Sequence, residues 1–479
     1  MNFNKGKYRR IMMASKQNQI KNSFRAFSII AVIIQLLMLF WISVKLLNPD
    51  VKMLYDSHLQ NKSHMNYQAN QRAYPQEKNP DMGYFQAFLE MKQNANLEQT
   101  LNPTDSWRSI GPKNMAGRTI SLVIHPEDHN ILYAGSASGG LWRLTITGTG
   151  PDDYFWEHIQ TGYPVLGVGA IAINPINPDI IYIGTGEVYG YQGQDGDLFG
   201  SYWMRIRGNY GIGLLKTTDG GTSWEKSIDW TQNQTRGVLS LAINPVNPDV
   251  VFAGTTEGVY RTKNAGYTWD HVHSVVMAVD VRIDPSNPDI VFVSCGNLGT
   301  KENGIYRSMD GGETWTRLSK GLPKFWSGKT KLDIFPSSPS IIYADICNQW
   351  ERIGLYVSQD SGKSWELLST LEGVDLTQNQ GYFSHFVRIN PKDKNKIFIA
   401  KVGYQYSEDG GKSFTRAFSN LSEWTFNPTV AHVDLHAFAN CAQNEDSFFI
   451  AGDGGVFITA DGGKTFRGLN KGYVNTQFY

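Results

Sequence analysis

One short pattern occurs six times in the second half of the chain, and it constrains the fold more than any other feature. Each copy has a Ser or Thr, an Asp or Asn two residues later, a Gly, and a closing Trp or Phe. The copies are TTDGGTSW (217–224), TKNAGYTW (262–269), SMDGGETW (308–315), SQDSGKSW (358–365), SEDGGKSF (407–414) and TADGGKTF (459–466). Their central positions follow at steps of 45, 46, 50, 49 and 52 residues. A period of this size is typical of repeat architectures in which each unit packs on its neighbours.

The pattern has the chemistry of a tight hairpin. Hydroxyl and carboxylate groups two residues apart can bind nearby backbone amides, and Gly supplies the positive φ angles that a tight turn requires. The closing aromatic residue begins the next strand and offers a large apolar surface for packing. We therefore interpret the six Asp or Asn positions as parts of structural turns, not as a site.

A larger unit surrounds each hairpin from Trp107 onward. An apolar strand ends in an NP turn, as in GAIAINP (169–175), and is followed by a second strand, a Gly-bearing loop, a third strand, the hairpin and a fourth strand. Seven such sets predict an all-β, seven-bladed β-propeller. Eight segments qualify as fourth strands, so SWRSIG (106–111) is a candidate to complete the last blade and close the ring.

The N-terminal region predicts export. Residues 27–44 lack charge and are long enough to span a bilayer, and seven Lys or Arg residues before them place the N-terminus in the cytoplasm. We predict a basic cytoplasmic tail (1–26), a transmembrane helix or long signal (27–47), a polar linker (48–105) and the propeller (106–479). The propeller then lies on the periplasmic or extracellular side, or is secreted if the segment is cleaved.

The linker contains one helical signal. Within 82–98 the apolar residues Tyr84, Phe85, Phe88 and Leu89 fall at helical spacing, which predicts a short amphipathic helix. The rest of the linker is rich in Asn and Gln, and we interpret it as a tether to the folded domain.

Composition excludes several function classes. Lys+Arg and Asp+Glu are both 44, so nothing favours nucleic acid as a partner. Cys295, Cys347 and Cys441 form no CxxC pair and predict neither a zinc site nor a disulfide framework. Cys295 and Cys347 occupy similar places in neighbouring repeats, so a disulfide between them and two buried thiols both remain open. No cofactor and no metal site is predicted.

Ligands of propellers usually bind at the mouth of the central channel. The loops that enter the first strands and those that join second to third strands open on one face, and their polar and aromatic residues are the candidates for binding. These are Arg118, Glu187, Tyr189, Arg236, Glu257, Asn297, Lys329, Asp345, Trp350, Glu351, Tyr382, His385, Tyr404 and Asp453.

The longest insertion, at 186–211, adds aromatic and basic residues, among them Trp203 and Arg205. Aromatic rings beside cations suit stacking on sugars or binding a peptide. The alternative is a loop that folds onto itself and caps the channel.

The segment HVDLH is a second local candidate. If it is a strand, His432, Asp434 and His436 lie on one side of it, because alternate residues point alike. Two imidazoles and a carboxylate can hold a metal or supply acid–base groups. Packing within the seventh blade is the alternative that we favour. A carboxylate pair formed by Glu187 and Asp434 across the channel is a further possibility.

The repeated hairpins resemble the Asp-box, or bacterial neuraminidase repeat, of sialidases, sortilin ectodomains and two-propeller glycosidases that hydrolyse xyloglucan. The segments SWRSIGP, GRTISLVIHP, YAGSASGGLW, HVDLHAF, GDGGVFITADGGKTF and NTQFY are similar to exported sortilin-like proteins of Bacteroidetes-type bacteria. The resemblance covers residues 107–479 and implies a seven-bladed propeller. It implies little about activity, because one propeller fold supports many unrelated functions.

Two enzymatic implications of the resemblance fail at particular residues. The xyloglucan-hydrolysing family has a catalytic Asp in the loop after the second strand of its first blade, where this chain has Ala137. Glycoside hydrolysis needs two carboxylates across the bond, and the second is expected in a further propeller that this sequence does not contain. Sialidases need an arginine cluster, a Tyr–Glu pair and usually six blades, and no FRIP-like segment is present. We therefore predict no catalytic residue.

The preferred hypothesis is an exported, membrane-anchored propeller that binds a protein, peptide or glycan ligand at the channel mouth without catalysis. A glycoside hydrolase with a rearranged acidic pair, drawn from Glu187, Asp345, Asp434 or Asp453, is the alternative. An envelope assembly scaffold is a third class.

Overall fold

The computed structural model describes residues 83–98, 111, 114–191, 208–232, 235–371, 380–417, 429–441 and 446–475. The chain divides into two compact units, Met1–Pro80 and Asp81–Tyr479, and all described residues belong to the second. The predicted membrane segment at 27–47 lies outside the described residues. Among those that are described, no helix has the length and apolarity needed to cross a bilayer.

The helix expected within 82–98 is observed as α1, Gly83–Glu98. It contacts the first two blades through two lysines. Lys92 donates a hydrogen bond to the carbonyl of Gly162 at 3.0 Å, and Lys226 Nζ lies 5.0 Å from the ring centroid of Phe85. The helix therefore belongs to the folded unit.

The described strands form seven four-stranded antiparallel sheets, each made of four consecutive strands. Blades one and two contain β1 Thr119–Ile124, β2 Ile131–Ser136, β3 Leu141–Ile146, β4 Tyr154–Ile159, β5 Val168–Ile173, β6 Ile181–Thr185, β7 Gly213–Thr217 and β8 Glu225–Asp229. Blades three and four contain β9 Val238–Ile243, β10 Val251–Thr255, β11 Gly258–Thr262, β12 Asp270–His273, β13 Ala278–Ile283, β14 Val291–Cys295, β15 Gly304–Ser308 and β16 Thr316–Arg317. Blades five and six contain β17 Thr330–Ile334, β18 Ile342–Cys347, β19 Arg352–Ser358, β20 Glu366–Ser369, β21 Phe386–Ile389, β22 Ile397–Ala400, β23 Tyr404–Ser407 and β24 Thr415–Arg416. Blade seven contains β25 Leu435–Asn440, β26 Phe448–Gly452, β27 Gly455–Thr459 and β28 Arg467–Gly468.

The first strands of the blades form the inner wall of a closed ring. Each contacts the first strand of the next blade, and β25 contacts β1. The second strands are buried along nearly their whole length, as in β6 and β14, whereas fourth strands such as β12 are largely exposed. Continuous apolar runs suit strands covered on both faces, here by the two adjacent blades. The predicted seven-bladed propeller is confirmed.

The Asp-box hairpins connect third to fourth strands and have the predicted bonding. In blade two, Asp219 Oδ1 accepts hydrogen bonds from Thr217 Oγ1 at 2.7 Å and from the Ser223 amide at 2.9 Å. The Gly221 amide donates to Thr217 Oγ1 at 3.0 Å. Hydrogen bonds from the Ser223 hydroxyl and amide and from the Thr217 hydroxyl lower the pKa of Asp219 to about 2. The carboxylate is therefore used within its own turn.

A second set of turns lies at the same edge of the ring. Between the first and second strands of blade two, Asn174 Oδ1 accepts from the amides of Ile176 and Asn177 at 2.8 and 3.0 Å. The amide of Gly220 in the Asp-box donates to the carbonyl of Asp179 in the adjoining turn at 3.0 Å. Because each blade is a meander, the loops that enter first strands and those that join second to third strands lie on the opposite face.

The ring is closed by the C-terminal segment. All four strands of blade seven come from 435–468, so the candidate closing segment 106–111 supplies none of them, and most of it lies outside the described residues. Instead, Tyr473 is fully buried between blades seven and one, and its hydroxyl shares a hydrogen bond with Thr119 Oγ1 at 2.9 Å. Asn475 Oδ1 accepts from the Gly117 amide at 2.7 Å.

The open question about Cys295 and Cys347 is resolved. No disulfide joins these two described residues, and both side chains are buried. Burial raises the pKa of the Cys295 thiol.

Candidate ligand site at the mouth of the central channel

A cavity of about 70 Å³ lies on the axis of the ring. All seven blades contribute to its wall, mostly from their first strands or the residue just before them. These residues are Ile120, Gly169, Leu239, Val279, Lys331, His385 and His436. The cavity is therefore the upper part of the central channel.

Blade two contributes the loop that overhangs this cavity. Glu187 forms an isolated antiparallel bridge with Asn209, with hydrogen bonds of 2.8 and 3.0 Å between their backbones. Gly186, at φ 101°, turns the chain into this bridge. The bridge fixes the start and the end of the long insertion, so that Glu187 and Tyr189 point into the cavity.

Arg118 is the centre of a buried ionic network at the mouth. Its Nε lies 2.7 Å from Glu187 Oε1, and its Nη1 lies 3.4 Å from Asp453 Oδ2. The Tyr189 hydroxyl donates a hydrogen bond to Glu187 Oε1 at 2.5 Å. The side chains of Arg118 and Glu187 are 3% and 2% exposed. One guanidinium thus holds two carboxylates from blades two and seven.

The electrostatics of this network favour a charged Arg118 and a neutral Tyr189. Burial opposes the charge on Arg118, but the neighbouring carboxylates of Glu187 and Asp453 outweigh burial and raise the pKa of the guanidinium. Burial and the Glu187 carboxylate raise the pKa of Tyr189 well above its usual range, so its hydroxyl stays protonated and donates. The network contains one cation shared by two anions.

Blade seven adds a histidine to the network. His436 Nε2 lies 3.0 Å from Asp453 Oδ1. Its ring packs edge-on against Phe383, at a centroid distance of 4.8 Å, and Arg118 stacks over the same phenyl ring at 5.4 Å. Burial lowers the pKa of His436, although Asp453 acts in the opposite direction.

Two lysines of blade five give the cavity positive charge. Lys329 Nζ donates to the carbonyl of Phe383 at 2.7 Å and lies 4.8 Å from the ring centroid of Tyr189. Lys331 Nζ donates to the carbonyl of Val279 at 2.8 Å. Burial and the charge of Lys331 lower the pKa of Lys329 to about 7.

Blades five and six meet at a further polar cluster beside the cavity. Asp345 is fully buried and forms a bidentate pair with Arg352, with Nε–Oδ1 and Nη2–Oδ2 distances of 2.8 and 3.0 Å. Asp345, Cys347 and His385 bring one donor atom each to within 4.8 Å of one another. Burial and the neighbouring lysines lower the pKa of His385 well below its usual range, so its imidazole is neutral.

The structure brings together some of the predicted ligand-binding residues and separates others. Six of them line the cavity or join the Arg118 network. They are Arg118, Glu187, Tyr189, His385, His436 and Asp453. Trp203 and Arg205 lie outside the described residues.

Arg236, Trp350 and Asp345 are not in the cavity wall. Arg236 Nε lies 3.7 Å from Glu257 Oε1, and Asp345 is occupied by Arg352. Trp350 is 38% exposed and packs edge-on against Tyr382.

The prediction that HVDLH presents three side chains on one side of a strand is wrong. The strand β25 begins only at Leu435, and Asp434 has a left-handed φ of 61°. The alternation of a strand therefore does not extend to His432 and Asp434. Of the three, only His436 lines the cavity, while His432 Nδ1 contacts the carbonyl of Val433 at 2.9 Å.

Sequence reasoning missed Lys331 and Phe383. Lys331 belongs to KLDIFP, a first strand in which Leu332 and Ile334 pack in the core. A charged residue alternating with core residues on an innermost strand is the signal that would have identified it. Phe383 follows residues 372–379, which lie outside the described residues, and no sequence pattern marks it.

Comparisons with known proteins place this fold in a wider group. The family model described as "Sortilin, neurotensin receptor 3" matches residues 213–348. A xyloglucanase from Acetivibrio thermocellus is 26% identical over 378 residues, which cover 69% of this chain and 41% of that protein. The solved GH74 xyloglucanase from Xanthomonas campestris has a TM-score of 0.56 at 16% identity and covers 77% of this chain and 56% of its own. The GH74 enzyme from Niastella koreensis has a TM-score of 0.53 at 18% identity, with coverages of 75% and 55%.

The expected resemblance to Asp-box propellers, including sortilin-like and xyloglucan-hydrolysing proteins, is confirmed by these matches. The chain spans less than half the length of the curated xyloglucanase that it matches. At these identities the solved structures establish a common fold, and fold alone does not establish activity.

Proposed function

We propose that this protein binds a protein, peptide or glycan ligand at the mouth of its central channel, and that binding without hydrolysis is its function. The carrying observation is the position of Arg118 between Glu187 and Asp453. The surroundings of Glu187 and Asp453 can be compared with those that a catalytic acid requires.

Glycoside hydrolysis requires one carboxylic acid that stays protonated near neutral pH. Enzymes obtain such an acid by placing it in apolar surroundings or beside another negative charge. Glu187 and Asp453 instead share a guanidinium at 2.7 and 3.4 Å, and Glu187 also accepts from Tyr189. These surroundings are neither apolar nor anionic, so neither residue has the environment of such an acid.

Ala137 supports the same conclusion. The resemblance to xyloglucan-hydrolysing enzymes assigns a catalytic Asp to its place. The Ala137 side chain is fully buried, its amide donates to the carbonyl of Arg118 at 2.9 Å, and its carbonyl accepts from Asn209 Nδ2 at 2.6 Å. The loop is fixed against the Arg118 network and offers no acid to a substrate.

The mouth nevertheless has the chemistry of a binding site. Lys329 and Lys331 supply cations within the cavity, and Tyr189 and Phe383 supply aromatic surface. Trp350 adds an exposed ring next to Tyr382 on the same set of loops. Aromatic rings with nearby cations suit peptides and sugars, and the lysines favour a ligand that carries a negative group.

The proposal also includes a location for the protein in the cell. We infer that the uncharged segment 27–47 anchors the chain in a membrane and that the propeller lies on the periplasmic or extracellular side, from the basic residues that precede the segment. A tag-accessibility assay in intact and permeabilised cells would test this. Protease cleavage of the propeller in intact cytoplasm-free vesicles of known orientation would give an independent answer.

Binding is tested with the full chain in a mild detergent against an array of acidic peptides, neutral peptides and oligosaccharides. A ligand that binds at the mouth should lose affinity in Lys331→Met and Trp350→Ala. Lys320→Met, an exposed lysine on the loop after β16, is the matched control and should leave binding unchanged. Retention of wild-type affinity by both mouth variants would contradict the proposed location.

The alternative is a glycoside hydrolase, and the similarity to xyloglucanases is the observation that favours it. Incubation of the full chain with xyloglucan, followed by measurement of new reducing ends, distinguishes the two. Reducing ends that appear with the wild type and disappear in Glu187→Gln, Asp453→Asn or Asp434→Asn would overturn the binding proposal. Binding of xyloglucan without cleavage would support it.

A further inference from the structure

Asp345, Cys347 and His385 form a cluster of metal-binding donors in the described part of the chain. One donor atom from each lies within 4.8 Å of the other two. The three residues are 0%, 0% and 2% exposed. Asp345 and Cys347 sit on β18 of blade five, and His385 precedes β21 of blade six, so the cluster lies where two blades meet.

His385 provides an independent sign of a ligand. Neither of its ring nitrogens has a hydrogen-bond partner, although the side chain is almost fully buried. A buried polar group without a partner costs about 1–3 kcal/mol, and buried polar groups are nearly always satisfied in native proteins. A neutral imidazole with a vacant lone pair, directed at a thiol and a carboxylate, is the usual form of a histidine metal ligand.

We propose that Asp345, Cys347 and His385 bind a single divalent cation of the zinc type at the wall of the central channel. Sulfur, imidazole nitrogen and carboxylate oxygen together select zinc and similar ions over magnesium or calcium, which prefer oxygen alone. A tetrahedral zinc ion holds its donors about 3.5 Å apart, so the three side chains need to approach by roughly 1 Å.

The ion pair of Asp345 with Arg352 is compatible with this site. A carboxylate can bind a guanidinium and a metal ion at the same time, because it has about four lone-pair positions. Arg352 then acts as the outer partner that orients a ligating carboxylate, a common arrangement around metals.

The surrounding charges also bear on the choice of ion. Lys329, Lys331, Arg352 and Lys401 lie close enough to His385 to disfavour its protonation. These cations weaken any ion that is held by charge alone, such as magnesium. The sulfur and nitrogen donors of Cys347 and His385 are therefore the main attraction for an ion of the zinc type. His385 also lines the cavity, so the cluster borders the channel.

The site can be tested without any knowledge of the ligand in the channel. The full chain, purified in mild detergent, is loaded with Zn²⁺ and freed of excess by gel filtration, and bound zinc is measured by elemental analysis. Wild type should retain one equivalent. Cys347→Ser and His385→Gln should weaken zinc binding by more than the roughly 10–100-fold that follows loss of an outer partner.

Cys295→Ser is the matched control, because Cys295 is an equally buried cysteine at the end of β14 in the neighbouring blade. It should retain one equivalent of zinc. Co²⁺ in place of zinc should give a thiolate-to-metal charge-transfer band that Cys347→Ser abolishes and Cys295→Ser preserves. This band is read on folded protein, so a variant that loses structure is recognised by circular dichroism and replaced by Cys347→Ala.

Two outcomes would overturn the site. One is a wild-type protein that retains no zinc and gives no cobalt band. The other is a folded Cys347 variant that keeps both the bound zinc and the cobalt band. Neither outcome bears on ligand binding at the mouth, which is measured with metal-free protein and separate variants.

Discussion

Tyr473 stacks on Trp156 with ring centroids 4.2 Å apart and ring planes inclined by 12°. Trp156 belongs to the fourth strand of the first blade, and Tyr473 follows the last strand of the seventh. The indole Nε1 also donates to the carbonyl of Leu469 at 2.6 Å. Side chains that follow the last strand therefore help to join the two ends of the ring.

Loss of this contact should open the ring. Tyr473→Ala removes a fully buried aromatic side chain, for which a cost of about 3–5 kcal/mol is expected. Val474→Ala is the control, because Val474 is 42% exposed and its truncation should change stability little. Urea unfolding followed by tryptophan fluorescence measures both. Equal midpoints for the two variants would show that Tyr473 does not hold the ring closed.

Removal of Arg118 should be costly for a different reason. Arg118→Met leaves Glu187 buried without its cation, and breaking a buried pair by removing one partner costs about 3–5 kcal/mol. Arg143→Met breaks the exposed pair with Glu157 and should cost about 1 kcal/mol or less. Thermal unfolding of the two variants provides the comparison. A loss for Arg118→Met as small as that for Arg143→Met would contradict a stabilising role for the buried pair.

The Asp-box carboxylates should make stability fall in acid. Hydrogen bonds lower the pKa of Asp310 to about 2, below its unfolded value of about 3.9. Its contribution is therefore complete above pH 4 and is lost as the pH falls toward 2. Asp310→Asn should flatten this dependence and change neutral stability little, because Asn264 fills the same position in blade three with equivalent bonds. Identical acid unfolding curves for wild type and variant would contradict the assignment.

Two hairpins keep a side chain where the others have glycine. Ala265 has φ 53° at the position that Gly311 occupies in blade four with φ 68°. A left-handed alanine costs about 1–2 kcal/mol, partly offset by the entropy of glycine, so Ala265→Gly should stabilise by about 0.5–1 kcal/mol. Gly311→Ala should destabilise instead, because alanine is strained at this φ angle. The added Cβ meets no atom closer than 3.4 Å, so a steric clash is not the cause. Opposite shifts in unfolding midpoint are expected, and shifts of the same sign would refute the explanation.

Lys329 should couple stability to alkaline pH. Burial lowers its pKa to about 7, whereas the unfolded value is about 10.4, so the folded state binds fewer protons between these values. Stability from this group therefore rises from pH 7 to about 10. Lys329→Met should remove the rise and increase stability at pH 7 by up to about 4 kcal/mol. Lys320→Met should keep the wild-type profile. A Lys329→Met profile parallel to wild type would show that the ammonium is solvated.

The fold was largely readable from the sequence because each blade repeats the same local chemistry. The NP turns and Asp-boxes mark both ends of the strand pairs, and the intervening apolar runs mark strands covered on two faces. The contacts that close the ring were harder to predict from the sequence. Tyr473 and Asn475 lie after the last repeat, and their contacts with Thr119 and Gly117 span almost the whole propeller sequence.

The candidate site was predictable only in part. Loop position placed Arg118, Glu187 and Asp453 correctly at the mouth, yet their shared contact depends on two blades that are adjacent only after closure. The prediction for HVDLH failed because Asp434 has a left-handed conformation and the strand begins only after it. The cluster of Asp345, Cys347 and His385 was not foreseen, since its donors come from different blades with no metal-binding spacing between them.

The Asp-box hairpins and the candidate ligand-binding loops lie on opposite faces of the ring. The hairpins on one face satisfy their own polar groups within each repeat, as Asp219 does with Thr217 and Ser223. Substitutions in the loops of the other face leave those bonds untouched. A scaffold divided in this way can acquire new specificities through loop exchange, and a designer who grafts recognition loops onto it should retain the parent framework's thermal tolerance.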